Sequence, residues 1–404
     1  MNREQFIPII VGTDINAYNM ARSFHEEYNI KPILVGKERM PFTNLSTIIE
    51  HIEINPGLWE QNIFMEVLKA VAVKYKQTGK KLMLVGTNDF YVRLIIENAE
   101  ELKPFYTFNY PTEELMNNLL VKSNFYKLCQ AHGIDTPKTY FYSCYKKEPF
   151  TEELNFPVII KPSNGVEYYK NAFPGQQKVY KVNNREGLMD VINQINASGY
   201  EDDLIIQDYI PGDDTKLWDS VFYVSSKGKS QLITLAQVVL QEHTGTAIGN
   251  YTALITGYNE EIMKKLQNFL EAIGYVGFAN FDLKFDERDG KFKVFEVNIR
   301  QGRSSYYTTA SGHNMARYLV DDLIYAKEKP LTLLDDHFLF TLVPKIVLKN
   351  FVSNKPIREE MRQLIKSGKF GNPLFNSKDL HVKRAFYLFL RQINYYKKYK
   401  TNEW

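Results

Sequence analysis

The chain has 404 residues, 44% of them hydrophobic, with 22 glycines, 16 prolines and a formal net charge of +3. That length admits two or three domains with buried cores, and the ordinary composition excludes a disordered, collagenous or low-complexity chain. The two cysteines, Cys129 and Cys144, are too few for a disulfide framework and read as small buried hydrophobes in a reducing compartment. The N-terminal run in MNREQFIPIIVG is too short for a signal segment, and no stretch is apolar and long enough to span a bilayer, so a cytoplasmic location is expected.

Phe6 to Val11 is an apolar run ending in Gly12-Thr13-Asp14. A segment with Ala17, Met20, Ala21 and Phe24 at helical spacing follows, then the run Pro32 to Val35. Leu82 to Val85 repeats the pattern, ending in Gly86-Thr87-Asn88-Asp89 before a helix with Val92, Leu94, Ile95 and Ile96. Residues 1–111 are therefore expected to form an α/β, doubly wound parallel sheet. Gly12 lacks the companion glycines of a dinucleotide fingerprint, which argues against an oxidoreductase built on this sheet. Ligands of open α/β sheets bind beyond the carboxyl ends of the strands, so Thr13, Asp14, Asn88 and Asp89 are candidate substrate residues. Capping of the following helices by Asp14 and Asp89 is the structural alternative.

Tyr110-Pro111-Thr112 marks a boundary, with Thr112 as an N-cap ahead of Glu113 and Glu114. Helical segments with Leu115, Leu119, Phe125 and Leu128 run to a stop at Gly133, with Lys122 at a junction between them. FPVIIKPSNG is a buried strand that delivers Lys161 at its end, beside a loop containing Gly165 and Gly175. A lysine there can reach phosphate oxygens. A strand over Lys178 to Val182, a helix with Leu188, Val191, Ile192 and Ile195, and the strand and turn DLIIQDYIPGDD come next. Two antiparallel strands about Lys227-Gly228-Lys229 and a helix from Glu260 to Ala272 complete an α+β pattern.

From Gly277 to Ser305 the sequence predicts a hairpin. Ala279, Phe281, Leu283 and Phe285 alternate with polar residues, as do Phe295, Val297 and Ile299, about a turn at Glu287 to Lys291. If Asp286 opposes Phe292, Asp282 opposes Glu296 at a Cβ separation of roughly 5 Å. Two facing carboxylates with Asn298 nearby suggest a hard cation, best Mg²⁺. Arg300, Gln301, Gly302, Arg303, Ser304 and Ser305 follow, a sequence able to hold an anion. None of the seven histidines has zinc-ligand spacing, and His243 and His313 read as loop or capping residues.

Taken together, Lys122, Lys161, the Q-D-Y-I-P-G-D-D segment and the F-D-L-K-F-D and F-E-V-N-I-R strands resemble the ATP-grasp superfamily of carboxylate-amine ligases over residues 112–325. The resemblance implies that Lys122 and Lys161 bind ATP phosphates, and that Gln207, Asp208, Tyr209 and Ile210 form a hinge for adenine. It implies Asp213 or Asp214 on the ribose and Asp282, Glu296 and Asn298 on Mg²⁺. Arg300 would face the reacting carboxylate or acyl phosphate. Two features depart from the pattern: the loop after Lys161 is poor in glycine, and Gln207 stands where many members have glutamate. N-I-R-Q-G-R-S-S-Y-Y with K-P-S-N-G-V-E-Y-Y-K is most similar to the D-aspartate ligases, which append D-aspartate to a lysine side chain of peptidoglycan precursors. The implied reaction passes through an acyl phosphate that an amine attacks, with Lys161, Arg300 and Arg303 as catalytic candidates. Arg303, Ser304 and Ser305 are expected to read the amino acid. Other amino-acid or dipeptide ligases, and an ATP-binding module without turnover, are the alternatives. A homodimer is left open.

Residues 326–404 are expected to be a basic, aromatic-rich helical extension. From Thr341 to Trp404 there are 14 Lys and Arg against four carboxylates. Helices are predicted from Ile357 to Lys366 and after Asp379, where Phe386, Tyr387, Phe389 and Leu390 lie among Lys383, Arg384 and Arg391. Such a segment suits peripheral contact with an anionic membrane at its inner face, or packs on its own domain with a solvated basic side. No nucleic-acid motif accompanies it, and no nucleic acid is expected as a partner.

Overall fold

In the computed structural model the described residues are 5–242 and 249–401, so His243 lies outside them. The chain divides into two compact units. The larger comprises Met1–Glu113, Trp218–Asn280 and Asn298–Trp404, and the smaller Glu114–Leu217 and Phe281–Val297.

In the larger unit, β1 (Phe6–Val11), β2 (Ile33–Gly36), β3 (His51–Ile54), β4 (Lys81–Gly86) and β5 (Tyr106–Thr107) form a parallel sheet in the order β3-β2-β1-β4-β5. β1 is central, which is why it reads as a continuous apolar run rather than an alternating one. Leu58, Phe64, Leu68, Leu84 and Ile95 pack with Ile9 and Val11 in its core. The edge strands β3 and β5 were not legible, being four and two residues long and partly exposed.

In the smaller unit, β6 (Thr139–Ser143), β7 (Val158–Pro162), β8 (Tyr180–Val182) and β9 (Asp203–Asp208) form an antiparallel sheet in the order β6-β9-β7-β8. The helix Arg185–Ala197, capped by Asn184 accepting from the Gly187 amide at 2.9 Å, buries Leu188, Ile192 and Ile195 in the core beside it. The segment after Lys161 is partly a helix, Gly165–Lys170. Tyr168 anchors it, with its hydroxyl 2.8 Å from that of Tyr180 and its ring edge-on to Tyr200. That anchoring explains why the stretch carries tyrosines where a flexible loop would carry glycines.

The remaining strands are β10 (Leu217–Val224), β11 (Ser230–Ile233), β12 (Leu235–Gln241), β13 (Tyr251–Gly257), β14 (Gly277–Asp286), β15 (Lys291–Asn298), β16 (Thr332–Leu333), β17 (Leu339–Thr341) and β18 (Phe370–Gly371). Their sheet runs β15-β14-β10-β12-β13-β17-β18, with β11 and β16 attached beside β10. The C-terminal region thus supplies strands to this sheet, Thr341 pairing with Ala253. β14 and β15 form the expected hairpin, closed by Gly290 at φ +70° donating to the Asp286 carbonyl at 2.9 Å.

The last helix, Val382–Thr401, is fixed within the larger unit from below. Arg384, fully buried, lies 3.2 Å from Asp379 and over the ring of Tyr18, 4.3 Å from its centroid. Asp379 also accepts from the hydroxyls of Tyr18 at 2.8 Å, Ser46 at 2.9 Å and Thr47 at 2.9 Å. At the far end the Tyr399 hydroxyl meets Thr252 at 2.7 Å. Among the described residues no helix is long and apolar enough to cross a membrane.

Candidate active site

The phosphate-binding candidates meet in the smaller unit. Val121 alone separates the helices Glu113–Leu120 and Lys122–Ala131, so Lys122 starts a helix as its position suggested. Its ammonium lies 3.4 Å from Glu296 Oε2. Lys161 sits at the exit of β7 and donates to the Tyr126 hydroxyl at 2.8 Å, which donates in turn to the Phe295 carbonyl at 2.7 Å. Burial pushes the Lys161 ammonium down to about 7, and the neighbouring charge of Lys122 adds to the effect. Lys122 holds the Glu296 carboxyl down to about 2, and the Lys161 charge acts in the same direction. Tyr126 was missed from sequence, although it follows Lys122 by four positions on one helix face, a spacing that could have flagged it.

Along the expected hinge, Gln207 is buried. It accepts from the Tyr126 hydroxyl at 3.4 Å and donates to Thr139 Oγ1 at 2.8 Å. Its amide suits this place because one side must accept and the other donate, which a carboxylate does not do. The amides of Asp208 and Tyr209 already donate to the carbonyls of Lys138 and Pro157, at 3.0 and 3.2 Å. Those two N–H groups are therefore committed to the protein, and a base on this hinge would be met by Ile210 and by carbonyls instead. Asp213 caps a short turn by accepting from the Thr215 amide and hydroxyl, at 3.0 and 2.6 Å, with Asp214 next to it. Lys181 and Lys284, neither singled out from sequence, approach the Tyr209 ring at 3.8 and 5.5 Å.

For the metal, the smaller unit supplies Asp282, half-buried on β14, and Glu296 on β15, whose side chain is 46% exposed and stays ionised at any working pH. Among the described residues no three His, Cys, Asp or Glu cluster so as to hold a metal ion by themselves. The two carboxylates are oxygen donors of the kind Mg²⁺ takes, with waters and substrate oxygens for its remaining positions, while Asn298, the third candidate, falls in the larger unit, where its Oδ1 accepts from Arg300 at 3.2 Å.

The other candidates lie in the larger unit. Arg300 donates through Nη2 to Asp89 at 2.8 Å and to Asn298 Oδ1 at 3.2 Å. Asn88, not Asp89, caps the following helix, accepting from the Tyr91 amide at 2.8 Å, which leaves Asp89 to pair with Arg300. Asp14 caps its own helix through the Ala17 amide at 3.0 Å, and burial raises its carboxyl above the usual range. Thr13 is turned inward and donates to the Glu38 carbonyl at 2.7 Å. Ser304 and Ser305 are buried as well. Ser304 approaches Asp219 at 3.4 Å, and Ser305 accepts from the Gly302 amide at 2.6 Å. These two hydroxyls shape the loop rather than facing outward. Gly302 is required there, since a Cβ would fall 2.3 Å from Asn280 Oδ1.

Asp219, missed from sequence, is the centre of that loop. It is buried on β10 and accepts from Asn280 at 2.7 Å and Tyr307 at 2.9 Å. Burial lifts its carboxyl to about 6 despite those bonds. Arg303 Nη2 stands 3.8 Å from Glu242, itself buried.

No family model matches the chain. It is 34% identical over 412 residues to the D-aspartate ligase of Enterococcus faecium, covering 99% of this chain and 98% of that protein. In fold it is similar to an L-amino acid ligase from Bacillus licheniformis, with a TM-score of 0.56, 17% identity, and 80% of this chain and 75% of that one covered. It is also similar to the biotin carboxylase domain of Hydrogenobacter thermophilus 2-oxoglutarate carboxylase, solved with MgADP, ADP and bicarbonate. There the TM-score is 0.57 at 14% identity, over 80% and 70% of the two chains. The fold is that of the ATP-grasp enzymes, and the chain is a ligase of that class, forming C–N bonds. It belongs to the D-aspartate ligase family.

Proposed function

We propose that the chain joins D-aspartate to an amine of a peptidoglycan precursor, through an acyl phosphate formed at the expense of ATP. One observation supports this reading: the likeness to D-aspartate ligase runs through 99% of the chain, so it takes in the regions before and after residues 112–325, to which this reading assigns substrate residues. A shared nucleotide module alone would match residues 112–325 and little else.

In this reading residues 112–325 hold the nucleotide and residues 1–111 contribute to the substrate site. Lys122 and Lys161 bind phosphate oxygens as point charges. Tyr126 holds Lys161 in place, a positioning role set by the 2.8 Å hydrogen bond. Asp282, Glu296 and Asn298 would hold Mg²⁺, which supplies neutralisation of phosphate charge. Gln207 to Ile210 carry the adenine, and Asp213 or Asp214 the ribose. Arg300, oriented by Asp89, faces the acyl phosphate, and Arg303 grips the amino acid. Positioning and charge neutralisation suffice, with no side-chain nucleophile. ADP release that requires both D-aspartate and an amine acceptor tests the reading; a preference for another amino acid would reassign the substrate.

We also propose peripheral contact with an anionic membrane. The outer face of the helix Val382–Thr401 exposes Val382, Phe386, Phe389, Leu390 and Ile393, spaced as one stripe, with Lys383 and Lys397 exposed beside it. An apolar stripe edged with lysines is the pattern of an interfacial helix.

A further inference from the structure

The inner face of the same helix lines a cavity of about 350 Å³ that lies wholly in the larger unit. Asp14, Glu242 and Arg303 line it together with Arg391, Tyr395 and Lys398 of the helix. Its wall is a chain of fixed contacts. Arg303 stands 3.8 Å from Glu242, the Tyr395 hydroxyl bonds Glu242, and Arg391 Nη2 donates to the Tyr395 hydroxyl at 2.7 Å. The Arg391 guanidinium is also clamped between two rings, 4.7 Å from the centroid of Phe42 and 4.8 Å from that of Tyr395. Two guanidiniums are therefore held rigidly on one cavity, each with a fork suited to a carboxylate.

Among the described residues, the Nε of Arg303 and the Nε of Arg391 are both buried without a hydrogen-bond acceptor. An unmatched donor leaves guanidinium charge that the protein does not fully neutralise, and two such guanidiniums lining one cavity favour an anion in it. Three cationic heads against two carboxylates give the cavity the same preference, while Asp14 and Glu242 can receive an ammonium. The volume suits a small molecule.

We infer that this cavity is the amino-acid site, and that Arg391 of the C-terminal helix, with Arg303, grips the non-reacting carboxylate of a small dicarboxylic amino acid whose ammonium faces Asp14 and Glu242. The inference rests on the ligase reading above and adds Arg391 and Tyr395 to it. The basic C-terminal segment then has a second task besides any surface it meets: it determines specificity.

The test is calorimetric titration of D-aspartate into the full chain with Mg²⁺ and a non-hydrolysable ATP analogue. Arg391→Gln should weaken D-aspartate binding by about 10- to 100-fold, the span of one or two charged hydrogen bonds, with analogue affinity unchanged. Arg391→Lys, which keeps the charge and loses the fork, should fall between. Equal D-aspartate affinity in the wild type and Arg391→Gln overturns the inference, as does failure of the wild type to bind D-aspartate. Should Arg391→Gln lose the analogue as well, Tyr395→Phe decides, because it keeps the ring and removes the hydroxyl that sets Arg391. Weakened D-aspartate binding supports the inference and unchanged binding overturns it. D-aspartate bound without any amine-dependent ADP release would instead overturn the ligase reading and leave the pocket standing.

Discussion

Lys161 is where sequence, geometry and acid-base chemistry meet at a single side chain. A lysine at the end of an apolar strand is legible because burial there is so unfavourable to a charge that a partner must exist for it. In the free protein its ammonium is depressed to about 7, so it is lost as pH rises through neutrality, whereas a bound phosphate requires it protonated. Nucleotide binding above pH 7 therefore takes up a proton, and affinity should fall with rising pH by up to about tenfold per unit. The KM for ATP should rise from pH 7 to 9 in the wild type and stay flat in Lys161→Arg, whose guanidinium does not titrate; a flat wild-type profile would remove Lys161 from the phosphate site. Glu296 gives a second prediction. Glu296→Gln should lower turnover by about 10²- to 10³-fold with the fold intact, and near-normal turnover in both Glu296→Gln and Asp282→Asn would dismiss the metal assignment. Lys122, Lys161 and the hairpin carboxylates were legible because motif spacing is local. Asp219, Glu242 and Tyr395 were not, since their meaning comes from contacts between residues far apart along the chain, Tyr307 with Asp219 and both Arg303 and Tyr395 with Glu242.

Among the elements, the helix Val382–Thr401 changes most between sequence and structure. Its existence and its basic, aromatic character were legible, but its two faces were not, because the apolar stripe from Val382 to Ile393 has the spacing of a buried face and is in fact the exposed one. Packing separates them: Arg384, Leu388, Tyr395 and Tyr399 are buried, and Phe386 and Phe389 are 63% and 60% exposed. Removal of the segment after Asp336 would take β17 out of its sheet and strip Asp379 from its partners, so a truncation cannot isolate a surface role. A double substitution, Phe386→Ser with Phe389→Ser, leaves the buried face alone. The wild type should co-sediment with vesicles rich in anionic lipid at low salt and the double variant should not; wild-type protein left in the supernatant would end the membrane proposal. The buried pair behaves in the opposite way. Arg384→Ala strands Asp379 and should cost about 3–5 kcal/mol of stability, seen as a lowered midpoint in urea, while unchanged stability would mean the helix is not anchored there.

For the whole molecule, charge is segregated along the chain, with 14 Lys and Arg against four carboxylates from Thr341 to Trp404. The α/β start and the α+β middle were both legible, since parallel strands buried on two faces and mixed strand–helix order leave strong periodic signals. The interleaving of the larger unit from three separate segments was not, because no local pattern reports which distant strands will pair. The central claim is that the chain couples ATP cleavage to amide formation between a dicarboxylic amino acid and an amine. It is tested most directly by ADP release from purified full-length protein with MgATP, a panel of amino acids of both hands and an amine acceptor bearing a lysine side chain. ADP should appear only when a carboxylate donor and the amine are both present, fastest with D-aspartate. ADP formed at the same rate with neither substrate present, or no dependence on any amino acid, would contradict the account.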